Sequence, residues 1–313
     1  MVGSDGKHVG WLPGRVATEM QTVGLVLHPM RDSGDAVTAV LDWAARRRIQ
    51  VLGIDAEIAR LDCAAVGVSA DELGRRADLI VSLGGDGTML RAMRLADGQR
   101  ASVLGVNLGK LGFLAEVDVP DLPQALSSVD AHEYAVEPRM AIDAVIGEQL
   151  VTAFNDVAVV RYPGQPSALV AVRIGGYPFV SYAADAVVVA TPAGSTAYSF
   201  SAGGPIVSPA VDALLVTPAA PHSAYNRGLV VSVHDSLELE ILLASGRLAV
   251  EVDGQVRAQV DSGAVIELRP RPGAAHVVRL GRTTFYERAR RKLRLTDSAE
   301  IPLAAGGSVL PSP

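Results

Sequence analysis

Apolar residues follow two different rhythms along the chain. In the first, short aliphatic runs alternate with segments of helical spacing. Val23–His28 predicts a strand that stops at Pro29. Asp35–Arg48 sets Val37, Val40, Leu41 and Ala44 at helical spacing and closes on three arginines, which suit the negative end of a helix dipole. Ile49–Ile54 and Leu79–Leu83 predict the next two strands, Met89–Leu95 a helix, and Val103–Val106 a fourth strand. Strands alternating with helices argue for a parallel sheet covered on its faces, a doubly wound Rossmann-like α/β domain over residues 20–135.

Near residue 135 the rhythm changes. Short β-rich runs follow one another, separated by Pro, Gly and Asp-Gly: Ala141–Ile146, Val151–Val160, Ala168–Ile174, Ala186–Ala190, Leu229–Val233, Leu237–Leu243, Leu248–Val252, Val265–Leu268 and Val277–Leu280. This predicts an all-β domain, a complex sandwich, over residues 136–280. Tyr286–Leu295 alternates charged and apolar positions, so residues 281–297 are read as a C-terminal segment returning to the first domain and residues 298–313 as a loose tail. Residues 1–19 lack the apolar core of a signal peptide and are read as a flexible leader before Met20.

Composition narrows the class. The 313 residues are 49% hydrophobic and 20% charged, which fits a packed protein of two domains. The net charge of −6 gives no general attraction to nucleic acid or to an anionic membrane. No apolar run approaches the ~18 residues of a membrane helix. Cys63 stands alone, which excludes a disulfide framework and a cysteine-rich metal site. A cytoplasmic enzyme is the expectation. Lysine is rare: Lys7, Lys110 and Lys292 stand among 28 basic residues.

Two segments carry candidate chemistry. Gly84-Gly85-Asp86-Gly87-Thr88 follows the strand Leu79–Leu83 directly. Glycines there permit positive φ and close approach to a ligand, and exposed N–H groups at a helix N-terminus bind phosphate oxygens. Asp86 would repel phosphates unless a metal lies nearby or its carboxylate takes a proton from an attacking hydroxyl; a plain strand-to-helix turn capped by Asp86 is the alternative. Neither a Walker A sequence nor G-x-G-x-x-G occurs. The second segment, Thr191-Pro-Ala-Gly-Ser-Thr-Ala-Tyr198 continuing through Ser201 to Pro205, concentrates hydroxyls and glycines after a strand, with Tyr198 offering a ring to a base or sugar pocket. The six histidines are scattered, and no serine-hydrolase elbow is present.

Taken together, the two segments resemble the NAD kinase family. GGDGT is shared more widely with lipid kinases, whereas the run TPAGSTAYSFSAGGPIVSP resembles the NAD kinase form specifically. Gly105–Ala115, Asn155-Asp156, Thr217–His222 and Asp253-Gly254-Gln255 support the resemblance, which covers roughly residues 22 to 295. It implies transfer of the terminal phosphoryl group of ATP, or of polyphosphate, to the 2′-hydroxyl of NAD, with Mg²⁺ as cofactor. It implies that Asp86 takes the hydroxyl proton and that Gly84, Gly85, Gly87 and Thr88 hold phosphates. It further implies an NAD site comprising Asp86, Gly87, Phe113, Asn155, Asp156, Asp185, Thr196, Ala197, Tyr198, Ser201, Asp253 and Gln255, and a homo-oligomer, dimer or tetramer. No metal ligand is assigned.

Departures from the family pattern fall on the acceptor side. Asp156 replaces a glutamate, Ala184 and Ala186 replace glycines around Asp185, Ala183 stands where a basic residue is common, and Ala193 replaces a threonine. A kinase acting on another small acceptor, such as a nucleoside, is therefore the alternative. A lipid kinase would not keep the Thr196–Ser201 run, and a non-catalytic dinucleotide-binding protein would not need Asp86. If either alanine beside Asp185 had to adopt positive φ, it would cost ~1 kcal/mol or more.

Overall fold

The computed structural model describes residues 12–13, 20–61, 63–109, 112–222 and 225–295. Most of the leader and all of the tail lie outside these residues. Of the leader, the backbone of Leu12–Pro13 pairs antiparallel with Val136 and Ala135.

The first half builds a parallel sheet in the order Ser102–Asn107, Leu79–Gly84, Thr22–Leu27, Gln50–Ile54, Val66–Val68. Its central strands are apolar on both sides because each side is covered. Val23, Leu25, Leu27, Val81 and Val106 meet Val37, Val40 and Trp43 of the helix Gly34–Arg47, together with the helix Leu122–Asp130. On the other side Val26, Ile80 and Val103 meet Met89, Ala92 and Met93 of the helix Asp86–Ala96. That helix begins three residues before the apolar run that predicts it, so Asp86 occupies its first turn.

The second half is antiparallel. Among the described residues, six strands form one sheet in the order Leu229–Ser232, Ala213–Ala219, Ala186–Ala190, Asp156–Arg161, Leu248–Val252, Gln255–Val260. Val157, Val159, Val187, Val189 and Val250 of this sheet pack against Val170, Val172, Leu237, Leu239 and Ile266 of the facing sheet. The facing sheet is the first domain's sheet extended. The strand Val265–Arg279 pairs antiparallel with Leu237–Ile241 and with Ala135–Ile146, then parallel with Ser102–Asn107. Thirteen strands of the described residues thus form one continuous sheet that runs through both halves.

Several elements differ from the sequence expectation. The run Val151–Val160 is two strands, Gln149–Ala153 and Asp156–Arg161. The break falls where a carboxylate, described below, takes the N–H groups of residues 154–156. Val265–Leu268 and Val277–Leu280 belong to one strand, whose register shifts between Arg271 and Ala275, around Pro272 and Gly273. Tyr177–Ala184 and Gln255–Val260 lack a clear apolar run because one face of each is exposed. The basic stretch near the C-terminus is the helix Phe285–Leu293. No helix of the described residues is long and apolar enough to cross a membrane.

Candidate active site

The strand Leu79–Gly84 ends at Gly85, which caps the helix Asp86–Ala96. None of Gly84, Gly85 and Gly87 adopts positive φ, so left-handed backbone is not what glycine supplies here. Space is. A Cβ added to Gly85 or Gly87 would meet nothing within 4 Å, and both residues line an open cavity of about 430 Å³. The unpaired N–H groups of the helix's first turn lie at that wall. Thr88, His28, Arg31, Arg91 and Arg94 line the same cavity. Arg91 is held by Glu57 at 2.6 Å and by the Leu27 carbonyl at 2.6 Å.

Asp86 is anchored by backbone. The Leu114 N–H donates to its Oδ1 at 3.0 Å and the Phe113 N–H to its Oδ2 at 3.1 Å. Gly112 makes this seat possible, because a Cβ there would lie 2.2 Å from Oδ1. The Lys292 ammonium donates to Oδ2 at 2.8 Å and lies 4.4 Å from the centroid of the Phe113 ring.

A second cavity, of about 380 Å³, opens on the other side of Asp86. Phe113, Asn155, Thr196, Ala197 and Ser201, which the family resemblance implies for the acceptor site, line it, as does Ala193, one of the departures on that side; Leu114, Phe200, Lys292 and Leu293 join them without having been expected. Strand pairing brings these segments together. Asp156 lies opposite Ala190, so Asn155 and the loop from Thr191 leave the sheet side by side. A Cβ on Gly194 would lie 2.0 Å from the Asn155 carbonyl oxygen, so the two backbones touch. The hydroxyls divide into two groups. Thr191 bonds Phe154 and Gly194, Ser195 bonds Val207, and Ser199 bonds Thr217, all holding the loop's own shape. Thr196 and Ser201 line the cavity, the Thr196 hydroxyl also donating to the Ala193 carbonyl at 3.4 Å.

Other expected site residues stand elsewhere. Tyr198 is packed against Ala158, Ala186 and Val188 and is not part of the cavity wall. The Asp253 side chain is fully buried and accepts from the N–H groups of Phe154, Asn155 and Asp156, while Arg94 approaches at 3.4 Å. It sets the shape of the Asn155 loop and does not face open space. Gln255 lines the arginine cavity instead. Asp185 pairs with Arg161 at 2.5 Å, at the opposite end of the Asp156–Arg161 strand. That places it roughly 17 Å along the strand from Asp156. Neither Ala184 nor Ala186 has positive φ, so both alanines sit without the backbone strain that glycine would relieve.

Asp156 is buried, and the Tyr198 N–H donates to it. Burial, aided by the charges of Asp253 and Glu251, raises its pKa from 3.8 to about 7. The folded chain therefore keeps a proton that the unfolded chain releases between those two values, so this residue's contribution to stability falls as pH rises from about 4 to about 7. Asp156→Asn, neutral at every pH, should raise the melting temperature at pH 8 and leave it nearly unchanged at pH 4. Calorimetric scans at the two pH values check this; an equal loss at both would refute it.

Among the described residues, Asp86 is the one side chain that lines both cavities, and the only carboxylate in either wall. One cavity is rich in guanidinium groups and the other in hydroxyls and apolar surface. This is the arrangement of a phosphotransferase, which moves a phosphoryl group from an anionic donor to a hydroxyl acceptor. Comparison with known proteins gives the family. Residues 23–134 match the ATP-NAD kinase N-terminal domain and residues 154–280 the ATP-NAD kinase C-terminal domain. NAD kinase 1 of Streptomyces avermitilis is 39% identical over 88% of this chain and 88% of its own length. The NAD kinase of Desulforamulus reducens is 38% identical over 88% of this chain and 98% of its own. The crystal structure of an Archaeoglobus fulgidus NAD kinase in complex with ATP matches with a TM-score of 0.69 at 26% identity, over 88% of this chain and 99% of that one. The chain belongs to the ATP-NAD kinase family.

Proposed function

We propose that this chain transfers the γ-phosphoryl group of ATP to the 2′-hydroxyl of NAD, giving NADP and ADP, with Asp86 as general base. The observation that carries the reading is the position of Asp86 between the two cavities. The donor's phosphates lie on the first turn of the helix Asp86–Ala96, beside Arg31, Arg91 and Arg94. The acceptor's adenosine occupies the cavity of Phe113, Asn155, Thr196, Ala197 and Ser201. The acceptor oxygen attacks the γ-phosphorus and its proton passes to Asp86. The bond to the β–γ bridging oxygen breaks, and that electron pair leaves with ADP. Positioning and charge neutralisation carry such a reaction.

No cluster of three or more His, Cys, Asp or Glu side chains among the described residues is placed to hold a metal ion. A Mg²⁺ arriving on the donor would be held by its phosphate oxygens and by Asp86, among the described residues the only carboxylate lining either cavity. When bound, it would supply charge neutralisation on those phosphates. Transfer of labelled γ-phosphate, screened against NAD, NADH, a nucleoside and a diacylglycerol, tests the reading. Label appearing in NADP is the expected result. Label appearing only in the nucleoside would transfer the assignment to another small acceptor, in keeping with Ala193 in that cavity's wall.

A further inference from the structure

The helix Phe285–Leu293 is pinned at its start. Thr284 and Glu287 form a reciprocal capping box, and Arg288 is buried, donating to the Thr283 carbonyl at 2.7 Å and its hydroxyl at 3.1 Å. Lys292 lies about one turn further on. The fixed half of the helix thus aims this lysine at Asp86. Among the described residues, Lys292 is the only basic side chain in the wall of the hydroxyl-lined cavity. The arginines that line the first cavity, Arg31, Arg91 and Arg94, are absent from this wall.

We propose that Lys292 is a further catalytic residue, the cation that receives the transferred phosphoryl group on the acceptor side. The proposal rests on the kinase reading given above. An acceptor hydroxyl bonded to Asp86 Oδ2 would lie about 2.7 Å from it. The Lys292 ammonium lies 2.8 Å from the same oxygen. Hydroxyl oxygen and ammonium are then at most about 5.5 Å apart, a gap that the oxygens of a new phosphate bridge.

The charges exchange partners consistently. Before reaction, the ammonium is paired with the Asp86 carboxylate. As the acceptor oxygen bonds to phosphorus, its proton neutralises Asp86. Lys292 loses its anionic partner in the same step that delivers a phosphate beside it. The ammonium keeps all its protons and passes from carboxylate to phosphate. In the resting protein, the same pairing offsets the repulsion that a bare carboxylate would exert on incoming phosphates.

The test compares NAD and NADP affinities, by titration calorimetry on the full chain, for the wild type, Lys292→Met, Lys292→Gln and Lys292→Arg. A charged hydrogen bond to the 2′-phosphate predicts that the methionine and glutamine variants lose roughly 10- to 100-fold more affinity for NADP than for NAD. Lys292→Arg, which retains the charge, should keep most of the preference and a KM for ATP near the wild-type value. The NADP-to-NAD ratio remains readable in a variant that is partly unfolded, because unfolding weakens both nucleotides alike. Equal losses for the two nucleotides would reduce Lys292 to packing on Phe113 and overturn the proposal, as would unchanged affinities. A wild type that forms no NADP from NAD would instead sink the kinase reading itself, before any variant is compared.

Discussion

Asp86→Asn should lower the rate of NAD phosphorylation by about 10²–10⁴-fold, the usual contribution of general-base assistance, while the fold and the affinity for ATP persist. The carboxylate lies at the junction of the two cavities, and among the described residues no other acidic group lines either wall to take over the proton. ATP binding should survive because this side of the site is built from the N–H groups of Gly87 and Thr88 and from arginines. The asparagine oxygen can still accept from the Leu114 N–H, which preserves the turn at Gly112. Its amide would face two donors, the Phe113 N–H and the Lys292 ammonium, so Lys292 should swing away. Steady-state kinetics and ATP titration on one preparation check the prediction. A rate within about threefold of wild type would remove Asp86 from the proton transfer.

The largest stability effect is expected at a cluster outside both cavity walls. Glu137 is buried with Arg139 at 2.9 Å and Arg279 at 2.6 Å, and those guanidiniums are themselves almost fully buried. Burial lowers the pKa of Arg139 to about 10, and the two arginines hold the Glu137 carboxyl below its ordinary range. Glu137→Ala strands two positive charges in the interior, a change that typically costs about 3–5 kcal/mol. For a chain of this size the melting temperature should fall by roughly 10 °C. Because the Glu137 carboxyl is depressed, its contribution is complete above about pH 4.5 and is lost as pH falls further. Activity should suffer as well. Arg279 donates to the Leu114 carbonyl at 2.8 Å, and the N–H of that same residue holds Asp86. A melting temperature unchanged within about 2 °C would show that the arginines find other partners.

Those two sites differ in how far the sequence reveals them. Asp86 is legible because its motif is local: a strand, a run of glycines and a helix adjoin in the chain. The Asn155 and Thr196–Ser201 segments are legible through their resemblance to a known family. The arginines of the first cavity are not, because 28 basic residues offer no reason to favour Arg91 and Arg94 over the rest. Their spacing on the helix after GGDGT is the one local signal. Lys292 is hidden further. It lies 206 residues from Asp86, and only the fold brings them together. Asp253 shows the converse. The motif places it at the ligand, yet its carboxylate turns inward to fasten three backbone amides. Sequence pattern identifies the neighbourhood of such a residue but not the direction its side chain takes.

The strand Val265–Arg279 also constrains motion. It spans roughly 50 Å if fully extended and belongs to the sheet of both halves. Many two-domain enzymes admit substrate by swinging one domain about a pair of linkers. Here such a swing would shear the hydrogen bonds between His276–Val277 and Ser102–Val103. The two cavities therefore belong to one body joined by a continuous sheet. Substrate entry and product exit fall to pieces hung on its surface, such as the last turn of the helix that carries Lys292, beyond its pinned start, whose movement breaks no strand.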